Sequence, residues 1–342
     1  MQTETEFQNN KTMLNRHFLR AKVLQSLYAY HTSGQKDINF QEKWMFNNID
    51  EMYDLEVYLL SIIFEIKDIA SELIEEGKNK FYPTEEERNP SYRFVNNPMF
   101  DRMAECEELM KNIKRLHISW HEQKEILRQI FIKFKGSDSY KDYMNKEEVT
   151  FEEHRRVIVQ LFKNYIIRNA SFYELLIERH FSWEDDYEYL CQVVIVLLRN
   201  WEDGDCRAKQ LSTPFDNKAE DTLESDQDFM KNLFRNTAIH WDEYDSLIEK
   251  RIMNWDMDRI AFIDMIIIKM AISEFLYSPI IPLRVSLNEY IELSKEFSTE
   301  KSRLFVNGIL DRIIIDLRQE NRIHKYNDDE YLLENSDKEQ TI

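Results

Sequence analysis

The stretch Ile260-Ala-Phe-Ile-Asp-Met-Ile-Ile-Ile-Lys-Met-Ala-Ile-Ser-Glu-Phe-Leu276 is apolar on almost every side of a helix, and Asp264 and Lys269 interrupt it. A helix that is hydrophobic all round must be covered by other elements. No stretch of the chain reaches the length of roughly 20 apolar residues that a bilayer requires. The segment therefore predicts the central helix of a helical bundle.

Helical periodicity continues on both sides of this central segment. Ser286, followed three residues later by Glu289, has the spacing of a capping box, so we predict that a helix opens at residue 287. Downstream, apolar residues keep helical spacing through the dipeptide Asn307-Gly308, which is otherwise typical of a hairpin, so we predict one continuous helix in which Gly308 lets another helix approach. The predicted helices of this half are about 229–237, 241–252, 258–277, 287–297 and 300–318.

The preceding half of the chain also has helical patterns, and no strand-type alternation competes with them. Only 5 glycines and 6 prolines are present, which favours long helices over tight turns. The predicted fold class is all-α. We predict three regions: an expanded N-terminal helical region over 1–225, a C-terminal bundle over 226–320 and a disordered tail over 321–342, with a polar connection at 204–228. The N-terminal helices are predicted at about 13–33, 49–76, 100–135, 151–169 and 187–200.

Charge and cysteine content limit the function classes. A net charge of −19 argues against a uniformly basic nucleic-acid binder, so any RNA site must be a local basic patch. The three cysteines have neither metal-ligand spacing nor the even count of a disulfide framework. The first ten residues are polar rather than a signal sequence. We expect a cytoplasmic protein that is not associated with membranes.

The best basic patch lies on the first helix. Arg16 and Arg20 are one turn apart, Lys22 follows, and no acidic residue occurs from residue 8 to residue 29. Adjacent like charges are destabilising unless an anion lies nearby, and a phosphate is a suitable one. The pattern by itself favours an ordinary solvated helix face over RNA contact, by roughly three to one.

Enzyme chemistry has little support in the sequence. His117 and His121 have the i, i+4 spacing of two metal ligands, and Glu122 follows. The order is not the His-Glu-x-x-His pattern that joins two ligands to a base. No glycine-rich phosphate loop or nucleophile elbow is present. We therefore predict no enzyme activity, no metal and no cofactor, and keep a metal-dependent helical enzyme as a distant alternative.

Three segments in order resemble the NusB family of transcription antitermination factors. They are Arg16-His-Phe-Leu-Arg-Ala-Lys-Val-Leu-Gln-Ser-Leu-Tyr28, then Asn254-Trp-Asp-Met-Asp-Arg-Ile-Ala-Phe-Ile-Asp264, then Pro282-Leu-Arg-Val-Ser-Leu-Asn-Glu-Tyr-Ile-Glu-Leu-Ser-Lys-Glu-Phe297 with Glu300-Lys-Ser and Phe305-Val-Asn-Gly-Ile-Leu-Asp311. The resemblance covers about a third of the chain. It implies the NusB helical fold, with the rest forming an expanded N-terminal half.

The resemblance also implies partners and site residues. NusB proteins pair with the small-subunit ribosomal protein called NusE and together bind the boxA element of ribosomal RNA transcripts, within an RNA polymerase antitermination complex. By this resemblance, Arg16 and Arg20 lie at the family's RNA-binding positions, and Arg303 and Phe305 lie beside that surface. We add Lys22 and Gln25 of the first helix to the predicted RNA-binding residues. Residues on the NusE-facing side are Tyr28, Asp258 and Asp264.

Several of these residues also have a purely structural interpretation. Helical spacing alone favours a core role for Phe305 over base stacking, and Tyr28 is equally suited to a core or an interface. Asp264 within an apolar helix is expected to form an internal salt bridge or to face a partner. The alternative for the whole protein is a helical protein–protein scaffold that has lost RNA binding.

Overall fold

The computed structural model describes residues 15–34, 36–201, 224–252 and 260–326. These residues contain helices and connections with no strands, which confirms the all-α prediction. Short 3₁₀ turns occur at His121–Gln123 and Phe181–Trp183, and a π-helical turn at Phe162–Ile166. The α-helices are α1 Arg16–Thr32, α2 Ile38–Lys78, α3 Glu85–Arg88, α4 Pro98–Ala104, α5 Glu107–Arg115, α6 Lys124–Lys135, α7 Asp138–Asn145, α8 Phe151–Leu161, α9 Ala170–Arg179, α10 Tyr187–Arg199, α11 Asp226–Ile239, α12 Trp241–Glu249, α13 Phe262–Tyr277, α14 Leu283–Phe297 and α15 Glu300–Gln319.

The described residues form two compact units. Unit 1 contains residues 48–201, and unit 2 contains residues up to 47 together with those from 224 onward. Helix α1 thus packs with the helices that follow the predicted boundary near residue 225. Most of the predicted connection at 204–228 and most of the predicted tail from residue 321 lie outside the described residues. None of the described helices is both long and apolar enough to span a membrane.

Unit 2 is built around α13, as the apolar stretch predicts. This helix contacts α1, α11, α12, α14 and α15 and is buried from Asp264 to Phe275. Each fully buried aliphatic or aromatic side chain contributes roughly 1.5–3 kcal/mol relative to an exposed one. Lys269 is buried yet paired: its Nζ lies 2.7 Å from an Asp245 carboxylate oxygen and donates to the Trp241 carbonyl at 3.0 Å. Burial of α13 therefore organises the unit.

Unit 1 has its own core, in which the ring of Phe94 joins aromatic rings of α4, α6 and α7. The Phe94 ring lies 5.2 Å from Phe131, 5.5 Å from Phe100 and 5.6 Å from Tyr140. Such centroid separations are favourable for tilted and edge-to-face pairs. Helix α8 then packs on α4, α7 and α10 and continues into the π-helical turn. These aromatic residues of unit 1 therefore pack helices against one another.

The predicted capping box at Ser286 is wrong. Helix α14 begins at Leu283, one turn earlier, with Pro282 as its N-cap residue. The Ser286 side chain is buried and donates to a carboxylate oxygen of Glu274 at 2.6 Å instead of capping the helix. The spacing of Ser286 and Glu289 serves a tertiary network.

Helix α15 runs without interruption through Asn307-Gly308, as helical spacing predicts. The expectation that Gly308 permits a close helix approach is wrong, since no heavy atom would lie within 4 Å of an added Cβ. Glycine costs an exposed helix interior about 0.5–1 kcal/mol relative to alanine. We therefore expect Gly308→Ala to raise the free energy of unfolding by about 1 kcal/mol in urea titrations. A decrease would contradict the open environment of this position.

Candidate functional site

Arg20 forms a fully buried ion pair with Glu274. The Arg20 side chain is 2% exposed and the Glu274 side chain 0% exposed. Arg20 Nε donates to Glu274 Oε2 at 2.8 Å, and its terminal Nη2 donates to Oε1 at 2.7 Å. This two-pronged geometry is the strong form of an arginine–carboxylate pair. It fastens α1 to α13 and directs the guanidinium away from solvent.

Glu274 accepts two further hydrogen bonds, both from α14. The Ser286 hydroxyl donates to Oε1 at 2.6 Å and the Tyr290 hydroxyl donates to Oε2 at 2.8 Å. Burial alone would raise the pKa of Glu274, but the charge of Arg20 and these hydrogen bonds outweigh it and hold the pKa below its usual value. The carboxylate is thus ionised, and it joins three helices.

Arg16 lies at the start of α1 and remains partly accessible. Its side chain is 27% exposed, with Nε 3.5 Å from an Asp226 carboxylate oxygen. Its Nη2 donates to the Glu224 carbonyl at 3.1 Å, and the guanidinium lies 4.9 Å from the centre of the Phe229 ring. Arg16 is therefore held against the first turn of α11 with one edge toward solvent.

His17 adds a second cation to this end of α1, and the sequence interpretation did not include it. Its Nδ1 lies 3.0 Å from Glu289 Oε2, and its Nε2 lies 3.1 Å from Glu296 Oε2. Hydrogen bonds to Glu289 and then Glu296 raise the pKa of His17 to about 9, against the effect of burial. His17 is therefore charged at neutral pH. A lone histidine in a helix gives no sequence signal for two carboxylates almost 300 residues away.

Two other predicted RNA-binding residues of α1 differ in accessibility. Lys22 is 5% exposed, and its Nζ lies 5.4 Å from the centre of the Phe18 ring. Gln25 is half-buried on the same helix. Lys22 is hence predominantly a packing residue in this structure, whereas Gln25 keeps part of its surface.

The predicted residues Arg303 and Phe305 lie on α15, which packs on α13 and α14. Arg303 forms an i, i+3 ion pair with Glu300 and is 34% exposed. Phe305 is half-buried. Exposed ion pairs of this type are worth little and are easily exchanged for another anion. The structure therefore keeps Arg303 within reach of solvent, separate from the Arg20 network.

The predicted partner-binding residues border an exposed aromatic surface. Tyr28 is 45% exposed, and its ring lies 5.8 Å from that of Phe262, itself 40% exposed. Asp264 follows in the first turn of α13 and is 3% exposed, and its Oδ1 has no hydrogen-bond partner among the described residues. The predicted salt bridge at Asp264 is therefore not formed there. Asp258 lies outside the described residues.

The metal-site alternative requires His117 and His121 to lie on one face of a single helix, and they do not. His117 and His121 are not on one helical face, because α5 ends at Arg115 and His117 has a left-handed backbone with φ 49°. His121 begins a separate 3₁₀ turn. The long helix predicted over 100–135 is thus divided into α4, α5 and α6. Within the described part of the chain, no group of three or more potential metal-ligating side chains is found.

Comparison with known proteins identifies the family. The NusB family model matches residues 188–314. Transcription antitermination protein NusB of Myxococcus xanthus is 41% identical over 104 residues, which are 30% of this chain and 74% of that protein. The Bacillus subtilis protein of the same name is 42% identical over 91 residues, 27% of this chain and 70% of the relative. The chain belongs to the NusB family.

The family match is partial in both directions. NusB of Salinibacter ruber is 43% identical over 101 residues, and the chain spans 63% of that relative and matches it over 30% of its own length. The family range contains α11 to α14 and most of α10 and α15, but not α1. The names of these relatives are those of antitermination proteins rather than enzymes. No solved structure matches the chain significantly.

Proposed function

We propose that the protein is a transcription antitermination factor that binds boxA-type RNA of ribosomal RNA transcripts together with the ribosomal protein NusE, in the cytoplasm and within an RNA polymerase complex. The observation that carries this proposal is the pair of partly exposed cations at the start of α1, in a chain of the NusB family. Arg16 and the charged His17 lie there side by side, each with part of its side chain in solvent.

The proposal divides the predicted RNA-binding residues into two roles. Arg16, Gln25, Arg303 and Phe305 retain accessible surface and are proposed as contact residues. Arg20 is proposed as a positioning residue, since its guanidinium is committed to Glu274 and fixes the orientation of α1. Lys22, which is almost fully buried, is proposed to act with Arg20 in supporting the helix.

The NusE-binding side is proposed to be the surface of Tyr28, Phe262 and Asp264. Exposed aromatic rings are enriched at protein interfaces. A buried carboxylate oxygen without a donor costs about 1–3 kcal/mol, a penalty that a hydrogen bond from a partner would offset if binding rearranged the start of α13. Asp258, which lies outside the described residues, stays a predicted partner-binding residue through the family resemblance alone.

A second candidate function is a protein scaffold that does not bind RNA. Two observations favour it: the net charge of −19, and the carboxylate of Asp226 that already accompanies Arg16. In that case NusE or another protein would bind the aromatic surface, and RNA would have no effect on the complex.

The test is binding of boxA and scrambled single-stranded RNA to the native chain and to Arg16→Gln, with and without NusE, from 50 to 200 mM salt. We expect NusE to strengthen binding of boxA only. Arg16→Gln is expected to weaken it about fivefold and to lower the salt slope by about 0.7, the effect of one phosphate contact on a single strand. Lys250→Gln, an exposed cation of the same unit, is the matched control. Binding of NusE with no binding of either RNA would favour the scaffold, and equal binding of both RNAs would contradict boxA recognition.

A further inference from the structure

A basic groove lies on unit 1, and the residues of the proposed NusB surfaces belong to unit 2. Helix α8, the π-helical turn and the end of α10 enclose a space of about 430 Å³. That volume exceeds what a single phosphate group fills. The lining residues are Glu152, Arg155, Arg156, Val159, Gln160, Lys163, Asn164 and Arg199.

The charge of this groove is opposite to that of the chain. Four of its eight lining residues are cations and one is a carboxylate, in a protein of net charge −19. The segment that supplies most of them has no acidic residue from 154 to 173. The one carboxylate, Glu152, accepts a hydrogen bond from Arg156 at 2.8 Å in an exposed pair. Such a pair is worth little and does not prevent Arg156 from binding another anion.

The backbone beside the groove includes an unusual π-helical turn. Directly after α8, the Ile167 N–H donates to the Phe162 carbonyl at 3.2 Å, an i to i+5 bond that forms the π-helical turn Phe162–Ile166. Turns of this kind are rare and occur frequently at functional sites. Lys163 and Asn164 belong to this turn and line the groove. Arg155 is fixed by donating to the Trp201 carbonyl at 3.1 Å, so one cation is held in place.

We propose that this groove binds the phosphate backbone of single-stranded RNA, as a second contact surface on unit 1. Arginine forks match phosphate oxygens in two-pronged geometry, and lysine adds a point charge. The side-chain amides of Gln160 and Asn164 supply donors and acceptors for ribose hydroxyls or base edges. A phosphate-reading groove contributes to affinity without selecting sequence.

RNA fits these features better than an acidic protein segment does. The lining has one buried apolar residue, Val159, and no aromatic residue, so it offers neither the anchors of a protein interface nor a surface for base stacking, and its cations suit a phosphate backbone. The proposal rests on the proposed function only in taking RNA as the class of ligand. It does not depend on boxA preference or on NusE.

The test compares two pairs of charge-removing substitutions in the full chain. Arg156→Gln/Lys163→Gln removes two groove cations, and Lys111→Gln/Lys114→Gln removes two exposed cations of α5 in the same unit. Binding of boxA and scrambled single-stranded RNA is measured by fluorescence anisotropy from 50 to 200 mM salt, and thermal unfolding checks that each variant is folded. An acidic peptide serves as the competing probe.

We expect the groove variant to bind both RNAs about tenfold more weakly at 50 mM salt, with a salt slope reduced by about 1.4. The α5 variant should retain the native slope. An unchanged slope in the groove variant, no binding of either RNA by the native chain, or a loss confined to the acidic peptide would overturn the proposal. If boxA and scrambled RNA bind alike and NusE has no effect while the groove variant still loses affinity, the groove stands and the proposed function fails.

Discussion

Glu274→Gln is expected to lower the free energy of unfolding by about 3 kcal/mol, because it leaves the buried guanidinium of Arg20 with only the partly exposed carboxylate of Glu289, whose Oε2 lies 3.3 Å from Nη1. Both side chains are almost fully buried, so water cannot replace the lost carboxylate. Glutamine keeps the size of the side chain and an acceptor for Ser286 or Tyr290, so the loss reports mainly on charge. Urea titration measured by circular dichroism checks the value.

Two further variants separate the charge from its surroundings. Arg20→Gln/Glu274→Gln removes both charges and should recover at least half of the loss, since no uncompensated ion is left in the core. Glu296→Gln removes a carboxylate that is 56% exposed and should cost about 1 kcal/mol or less. If Glu274→Gln lowered the free energy of unfolding by less than about 1 kcal/mol, the Arg20–Glu274 pair would not be a main contribution to the packing of α1 on α13.

The architecture of unit 2 follows from sequence pattern more directly than its polar network does. Helical periodicity locates α13 and carries α15 through Asn307-Gly308, because burial of a continuous apolar surface dominates both segments. The family resemblance was visible in ordered motifs and is confirmed by the NusB match. Local sequence patterns are sufficient to locate a helix when the interaction that stabilises it, burial of apolar side chains, repeats with the helical period.

The contacts of polar side chains could not be predicted from local periodicity, because their partners are distant in sequence. Ser286 and Glu289 have capping-box spacing, yet they contact Glu274 and His17 across helices. Arg20 has the appearance of a surface cation until Glu274 is brought to it by the packing of α13 on α1. The left-handed backbone at His117 was equally hidden, since no glycine or proline marks that break. The roles of the RNA-contacting and NusE-facing residues stay predictions.

His17 is expected to stabilise the fold in acidic and neutral solution and to lose this effect at alkaline pH. Its folded pKa of about 9 lies above the unfolded value of 6.5, so the folded state holds the proton more tightly. The contribution is fully present below pH 6.5 and declines as pH rises from 6.5 through 9. A shift of this size corresponds to about 3 kcal/mol, which we reduce to about 2 because the ring and Glu296 are partly solvated.

The measurement is the difference in free energy of unfolding between the native chain and His17→Gln at several pH values from 6 to 10. We expect about 2 kcal/mol at pH 6 and a value near zero at pH 10. Burial and the nearby Lys36 and Lys269 lower the pKa of His31 to about 4, so its contribution is lost as pH falls from 6.5 to 4, the opposite direction. The pH dependence caused by His31 should be the same in the native chain and in His17→Gln. A difference that does not change with pH would show that His17 acts through packing alone, and would remove the second cation from the proposed RNA-binding end of α1.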